Sequence, residues 1–298
     1  MRRGVVSWAY SLCLLIACIA SGVARAQPSP EIASLASLII PGLGQASNGD
    51  YGDAAAHFGV FAASVYGMQR YSREPDFIDQ DRRYQGDFEY VNRTTLKYDY
   101  SARLATDTAL YSSYAAYRDA RRRGDRYYRT PAPEESLGDL AIAPFSWEYL
   151  SRPTTFIPIG LQLWAVTRSQ GGYGIYRGHD VTARDLHIFN ATANEATAVG
   201  EEGFFRGFLN NSLSSSYGNG WGLGLSSAVF GLSHNGQGQT ASIAQATLAG
   251  AYLGWVQQKN GFAFGEGVAI HYWINVLAGI SAIRNGGSTP LFTVQLPF

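Results

Sequence analysis

The sequence predicts an all-α fold, a polytopic transmembrane helical bundle with a membrane-embedded polar cavity. Three observations carry that expectation. Apolar segments of helical length recur at 156–166, 221–232, 241–256 and 268–283, bounded by turns such as Tyr217-Gly218-Asn219-Gly220. Charged residues make up 15% of the chain, where ordinary soluble domains carry about 25%. Ionisable residues also stand inside the apolar stretches at four-residue steps, where they are costly unless they have partners or a task. A mean hydropathy of −0.10, with 34 Gly, 19 Tyr and 6 Trp, suits a membrane protein with polar loops better than a cytosolic enzyme.

Residues 1–26 read as a signal peptide or N-terminal anchor. Met1-Arg2-Arg3 is positive, Val5 to Ala20 is mostly apolar, and Ala24-Arg25-Ala26 is a small-x-small cleavage site. Leu15-Ile16-Ala17-Cys18 offers a second reading, a lipobox with Cys18 lipidated. Either way the expectation is export or insertion in a bacterium, with the inner membrane as the destination. Cleavage after Ala26 removes both Cys13 and Cys18, and with them any disulfide or Cys-ligated metal. It leaves 20 basic against 23 acidic residues, a balance that argues against nucleic acid as a partner.

Residues 27–130 read as an N-terminal helical hairpin followed by a charged extramembrane region. Ala33 to Ile40 runs into Pro41-Gly42-Leu43-Gly44-Gln45 and Asn48-Gly49-Asp50, both turn signals, and Ala54 to Met68 resumes as a helix. Tyr71 to Tyr100 is charged and aromatic. Ala102 to Ala116 predicts a helix ending in the basic run 118–129, which marks either a cytoplasmic loop or a solvated helix end. Thr130-Pro131-Ala132-Pro133 is the boundary candidate, leaving 131–298 as a second domain. The last residues, 291–298, resemble the closing strand of an outer-membrane barrel. The helical-length runs before them, and Pro297, count against that architecture.

Three pieces of the second domain carry chemistry. In Glu201-Glu202-x-x-x-Arg206, the i,i+4 spacing pairs Glu202 with Arg206 and leaves Glu201 turned toward a cavity. In Phe230-x-x-x-His234 and His271-x-x-x-Asn275 both members share one helix face. Singly, each piece also reads as a salt bridge or a core residue. If the faces converge, Glu201 serves as general base on a water held with His234, while His271 and Asn275 donate to the oxyanion. The alternative is Zn²⁺ on His234, His271 and a carboxylate. His-x-x-x-His and His-Glu-x-x-His are absent, which excludes a standard zincin.

These ordered motifs resemble the signature of the CPBP family of intramembrane proteases, the Abi or CAAX-protease type. The resemblance covers 191–283, the motif core. It implies a helical membrane bundle with a cavity open to the membrane and one aqueous face. By motif, Glu201 corresponds to the catalytic glutamate, His234 to its water-orienting partner, and His271 with Asn275 to the oxyanion side. Glu202, Arg206 and Phe230 support them. Family members are often described as metalloproteases, although a metal-free glutamate mechanism requires no cofactor. The partners expected are a peptide or membrane-protein substrate and the lipid bilayer. A non-catalytic membrane scaffold or immunity protein with the same helical core is the alternative.

Overall fold

The computed structural model describes residues 28–85, 88–124, 127–168, 174–234 and 240–285. The expected signal or anchor at 1–26 and the terminal stretch 291–298 lie outside the described residues. Helix α1 (Pro30–Ile39) starts where the Ser29 side chain accepts the Ile32 amide and Pro30 supplies a residue with no N–H to satisfy. Gly42, at φ 94°, turns the chain with the Ala54 carbonyl where a Cβ would stand, so only glycine fits. Helix α2 (Leu43–Ser47) and the Asn48-Gly49-Asp50 turn then lead into α3 (Tyr51–Tyr71), the second arm of the hairpin.

The charged, aromatic stretch holds a short α4 (Gln80–Arg83) and strands β1 (Tyr84–Gln85) and β2 (Phe88–Val91). Strand β2 pairs antiparallel with β1 and parallel with β3 (Gly174–Arg177), Val91 standing opposite Arg177. Strands this short carry too little alternation for the sequence to announce them. Helix α5 (Arg93–Arg123) begins well before Ala102 because the Asn92 side chain accepts the Thr95 amide and caps it. The Thr130–Pro133 stretch is pinned: Thr130 Oγ1 donates to Asn211 Oδ1 at 3.0 Å, and Asn211 Nδ2 donates to the Pro131 carbonyl at 3.1 Å.

A Ser136–Asp139 capping box opens α6 (Leu137–Ile142), followed by a 3₁₀ turn at Ala143–Phe145, α7 (Trp147–Leu150) and α8 (Pro153–Arg168). A second box, Thr182–Asp185, opens α9 (Ala183–Glu202). The chain continues through a π-helical segment, Gly203–Asn210, into α10 (Asn211–Tyr217), α11 (Asn219–Ser233), α12 (Thr240–Lys259) and α13 (Gly265–Asn285). The main core joins α5, α9 and α13 through Tyr111, Tyr114, Val199, Val268 and Tyr272. Gly207 lets the π segment close on the Tyr114 ring, which fills the space of its missing side chain.

Several helices are apolar on the outside and polar on the inside. Helix α8 buries Thr155 and Gln162 while Phe156, Ile157, Leu161, Leu163 and Trp164 are exposed. Helix α1 buries Ser34 and Ser37 and exposes Ile32, Leu35 and Ile39. Helix α11 buries Ser226 and Ser227 and exposes Trp221, Leu225, Val229 and Leu232. Among the described residues one helix, α13, is long and apolar enough to cross a bilayer, over Gly265–Arg284, and most of it is buried.

The start of α13 is held by Glu135, whose carboxylate accepts the Phe264 and Gly265 amides at 2.7 and 2.8 Å. Burial outweighs those two bonds and pushes the carboxyl from its ordinary 4.5 up to about 7. The folded state therefore keeps a proton that the unfolded chain releases. The resulting stabilisation is complete below about pH 4.5 and is lost as pH rises through about 7. Melting in detergent should show wild-type stability falling across that window, with a shallower fall in Glu135→Gln. Parallel curves for the two proteins would refute this.

Candidate active site

The site forms where α9 ends and the π segment begins. A π turn inserts a residue into the helical repeat and re-aims the side chains around it, and such turns are common at functional sites. Its displaced backbone is held from α12: Gln257 Nε2 donates to the Arg206 carbonyl at 2.7 Å, and Gln257 Oε1 accepts Asn210 Nδ2 at 2.6 Å. Neither Gln257 nor Asn210 stood out in the sequence, because their role depends on a π turn that composition does not reveal.

Glu202 is fully buried and anchors two partners on one oxygen. Its Oε1 accepts Arg206 Nη1 at 2.9 Å and His271 Nδ1 at 2.9 Å. The first contact is the expected i,i+4 pair. The second was missed, because it joins α9 to α13 across 69 positions of sequence. Arg206, 2% exposed, also donates to the Gly250 carbonyl and lies over the Phe230 ring at 4.3 Å. Phe230 meets Phe205 edge-on at 4.9 Å and stacks on His234 at 4.4 Å. It is thus the apolar wall against which Arg206 and His234 are set.

His234 caps α11, and its Nδ1–H donates to the Phe230 carbonyl at 2.5 Å. That bond assigns the proton to Nδ1 and leaves Nε2 as a free lone pair in the neutral ring. In the same way, Glu202 holds the Nδ1–H of His271. The two remaining imidazole nitrogens converge: His234 Nε2 and His271 Nε2 each lie 3.9 Å from Glu201 Oε2. Glu201 is 1% exposed. Neither of its oxygens, nor either Nε2, nor Asn275 Nδ2, has a hydrogen-bond partner, although all are buried. Asn275 sits one turn beyond His271 on α13. The structure therefore gathers Glu201, Glu202, Arg206, Phe230, His234 and His271, and it leaves buried, unpaired polar atoms on Glu201, Glu202, both histidines and Asn275.

Native interiors pair their buried polar groups, and each exception calls for an explanation. Two of these exceptions, the Nε2 atoms of His234 and His271, lie 3.9 Å from a third, Glu201 Oε2, and describe a place for a small polar guest. That spacing is too wide for direct hydrogen bonds and suits one bridging water.

Residues 188–277 match the family of Rce1-like type II CAAX prenyl endopeptidases. This is the segment that carries the three motifs, and it contains every residue of the site. Residues 26–128 match a second family, described only as of unknown function (DUF5683). No curated protein and no solved structure matches the chain.

Proposed function

From that match and the geometry of the site, we propose that the chain is an intramembrane endopeptidase in which Glu201 activates water against a peptide bond of a membrane-associated substrate. The observation that carries the reading is the unpaired cluster of Glu201 Oε2 and the two Nε2 atoms. A water in that gap donates one hydrogen to Glu201 and the other to neutral His234. Glu201 takes its proton as the oxygen attacks the carbonyl carbon. Asn275 Nδ2–H and His271 Nε2–H donate to the resulting oxyanion. Glu201 then returns the proton to the departing amine.

The oxyanion role requires a proton on His271 Nε2 beside the Nδ1–H that Glu202 holds. Zinc at His234 and His271 suits this arrangement less well. Tetrahedral bonds of about 2.0 Å place ligand atoms about 3.3 Å apart, against 3.9 Å here. Among the described residues no group of three or more His, Cys, Asp or Glu could hold a metal ion.

The inside-out helices support the membrane setting. Burying Gln162 and Ser34 while exposing Trp164 and Ile39 is costly in water and favourable in hydrocarbon, the reverse of a soluble bundle. We therefore read α13 as a crossing helix and the outer faces of α1, α8 and α11 as lipid-facing. Peptides recovered from membranes with and without the protein test the function. Cleavage products should appear only in its presence, and identical profiles would remove the peptidase reading.

A further inference from the structure

Residues 137–150 fall outside both matched segments, 26–128 and 188–277, and take no part in the mechanism above. They hold α6, the 3₁₀ turn and α7, of six, three and four residues, each too short to cross a bilayer. Both ends of the stretch are tied to the start of α13. Before it, the Glu135 carboxylate accepts the Phe264 and Gly265 amides. After it, Arg152 Nη1 donates to Glu266 Oε2 at 2.7 Å, and a Cβ on Gly265 would meet the Tyr149 hydroxyl at 2.7 Å. A polar pocket lined by Glu148, Arg152, Asn260 and Glu266 marks that end of α13 as the wet one. The middle of the stretch reaches much further along the helix. The Pro144 carbonyl accepts Trp273 Nε1–H at 2.7 Å, and the Phe145 ring meets the Tyr272 and Trp273 rings edge-on at 5.6 and 6.3 Å. Tyr272 and Trp273 lie about 11 Å beyond Gly265 along the helix axis, at 1.5 Å per residue. Leu140 and Ala143 are buried there with Tyr272 and Val276. The chain thus descends beside α13, turns at Pro144 and climbs back to the end where it started.

We propose that residues 137–150 form a re-entrant loop, which dips into the bilayer from the Gly265 end of α13 and presents its tip to lipid acyl chains. The inference rests on the membrane setting proposed above and not on peptide hydrolysis. Two features argue for acyl chains as the neighbour. Leu137, Ile142, Phe145 and Trp147 are all exposed, Ile142 at 65% and Trp147 at 79%, and α8 follows with Phe156 and Ile157 exposed in turn. A patch of large apolar side chains on so short a stretch marks a contact with something other than water. The second feature is the backbone at the tip. Irregular backbone is tolerated in hydrocarbon only where its polar groups find partners. Pro144 has no N–H, its carbonyl takes the Trp273 indole, and the Ser146 amide donates to the Ala143 carbonyl at 3.1 Å. At a wet surface solvent would serve those groups. The loop thereby wedges between lipid and the Tyr272–Val276 face of α13, the helix that carries His271 and Asn275, and fixes the depth at which that helix sits.

Nitroxide labels on the full chain in phosphatidylcholine vesicles test the loop without any substrate. Oxygen concentrates in hydrocarbon and a nickel chelate stays in water, so the ratio of a label's exposure to the two reads its depth. In a chain with Cys13 and Cys18 replaced by Ser, labels are placed singly at Leu137→Cys, Ile142→Cys and Glu148→Cys, and at Leu161→Cys on the outer face of α8 as the reference. The oxygen-to-nickel ratio should rise from 137 to 142 and fall again at 148, with the 142 label about 10 Å deeper than the 148 label. A 142 label that meets nickel as freely as the 148 label overturns the proposal, provided the 161 label reads as lipid-exposed. So does a 142 label shielded from both reagents, which would mean that protein covers the tip. If the 161 label also meets nickel freely, the membrane setting itself fails, and the loop falls with it.

Discussion

Glu201→Gln is expected to fold and to lose peptide hydrolysis by about 10²- to 10⁴-fold, the usual contribution of a positioned general base. Glutamine has the same shape, so packing around a residue that is 1% exposed is retained. An amide cannot take the proton of the attacking water, so the chemical step loses its acceptor. Stability should move the other way. Both Glu201 oxygens are buried without a partner, and an uncompensated carboxylate in such a place opposes folding. Replacing it with a neutral group relieves that cost, so the variant should melt at or above the wild-type temperature. This opposition between activity and stability is the mark of a group kept for chemistry. Mass spectrometry of peptides released from membranes reads the first effect, and melting in detergent reads the second. A variant that releases the same peptides at the same rate would sink the mechanism. One that unfolds early would show that Glu201 serves the fold.

The site was legible in sequence to the extent that it is local. Glu202 and Arg206 announce their contact by an i,i+4 step, and the pair is present at 2.9 Å. Phe230 and His234 announce a shared face, and their rings stack. The apolar runs at 156–166, 221–232, 241–256 and 268–283 all lie within helices. What remained hidden depends on distant parts of the chain. The bond from His271 to Glu202 joins two helices, and nothing in either segment specifies it. The π turn exists because Gln257, itself held by Asn210 Nδ2, donates to the Arg206 carbonyl, and because Gly207 fits against Tyr114. Local propensity contains none of these three conditions. The apolar outer faces of α1, α8 and α11 are hidden from mean hydropathy for a related reason: the polar residues that these helices turn inward lower the average.

Removal of the Glu202 carboxylate should produce the largest loss of stability in the site. Glu202→Leu leaves the Arg206 guanidinium, 2% exposed, with no acidic partner, and strips His271 Nδ1 of its acceptor. Breaking a buried ion pair on one side costs about 3–5 kcal/mol, because the remaining charge stays desolvated. The double variant Glu202→Leu, Arg206→Met should recover most of that loss, since apolar side chains of similar volume often replace a buried pair without penalty. Activity should not recover. In both variants His271 lacks the carboxylate that fixes its ring, so the donor to the oxyanion is misplaced, with an expected loss of roughly 10²- to 10³-fold. The two readouts separate the roles of one residue. Glu202 stabilises the fold through Arg206, and the cycle isolates that term as a coupling energy. It serves the reaction through His271, and that effect persists when the ion pair is gone. A double variant that regains both stability and hydrolysis would show that Glu202 does no more than compensate Arg206. One that regains neither would place the loss in the packing of Phe230, which the guanidinium covers at 4.3 Å.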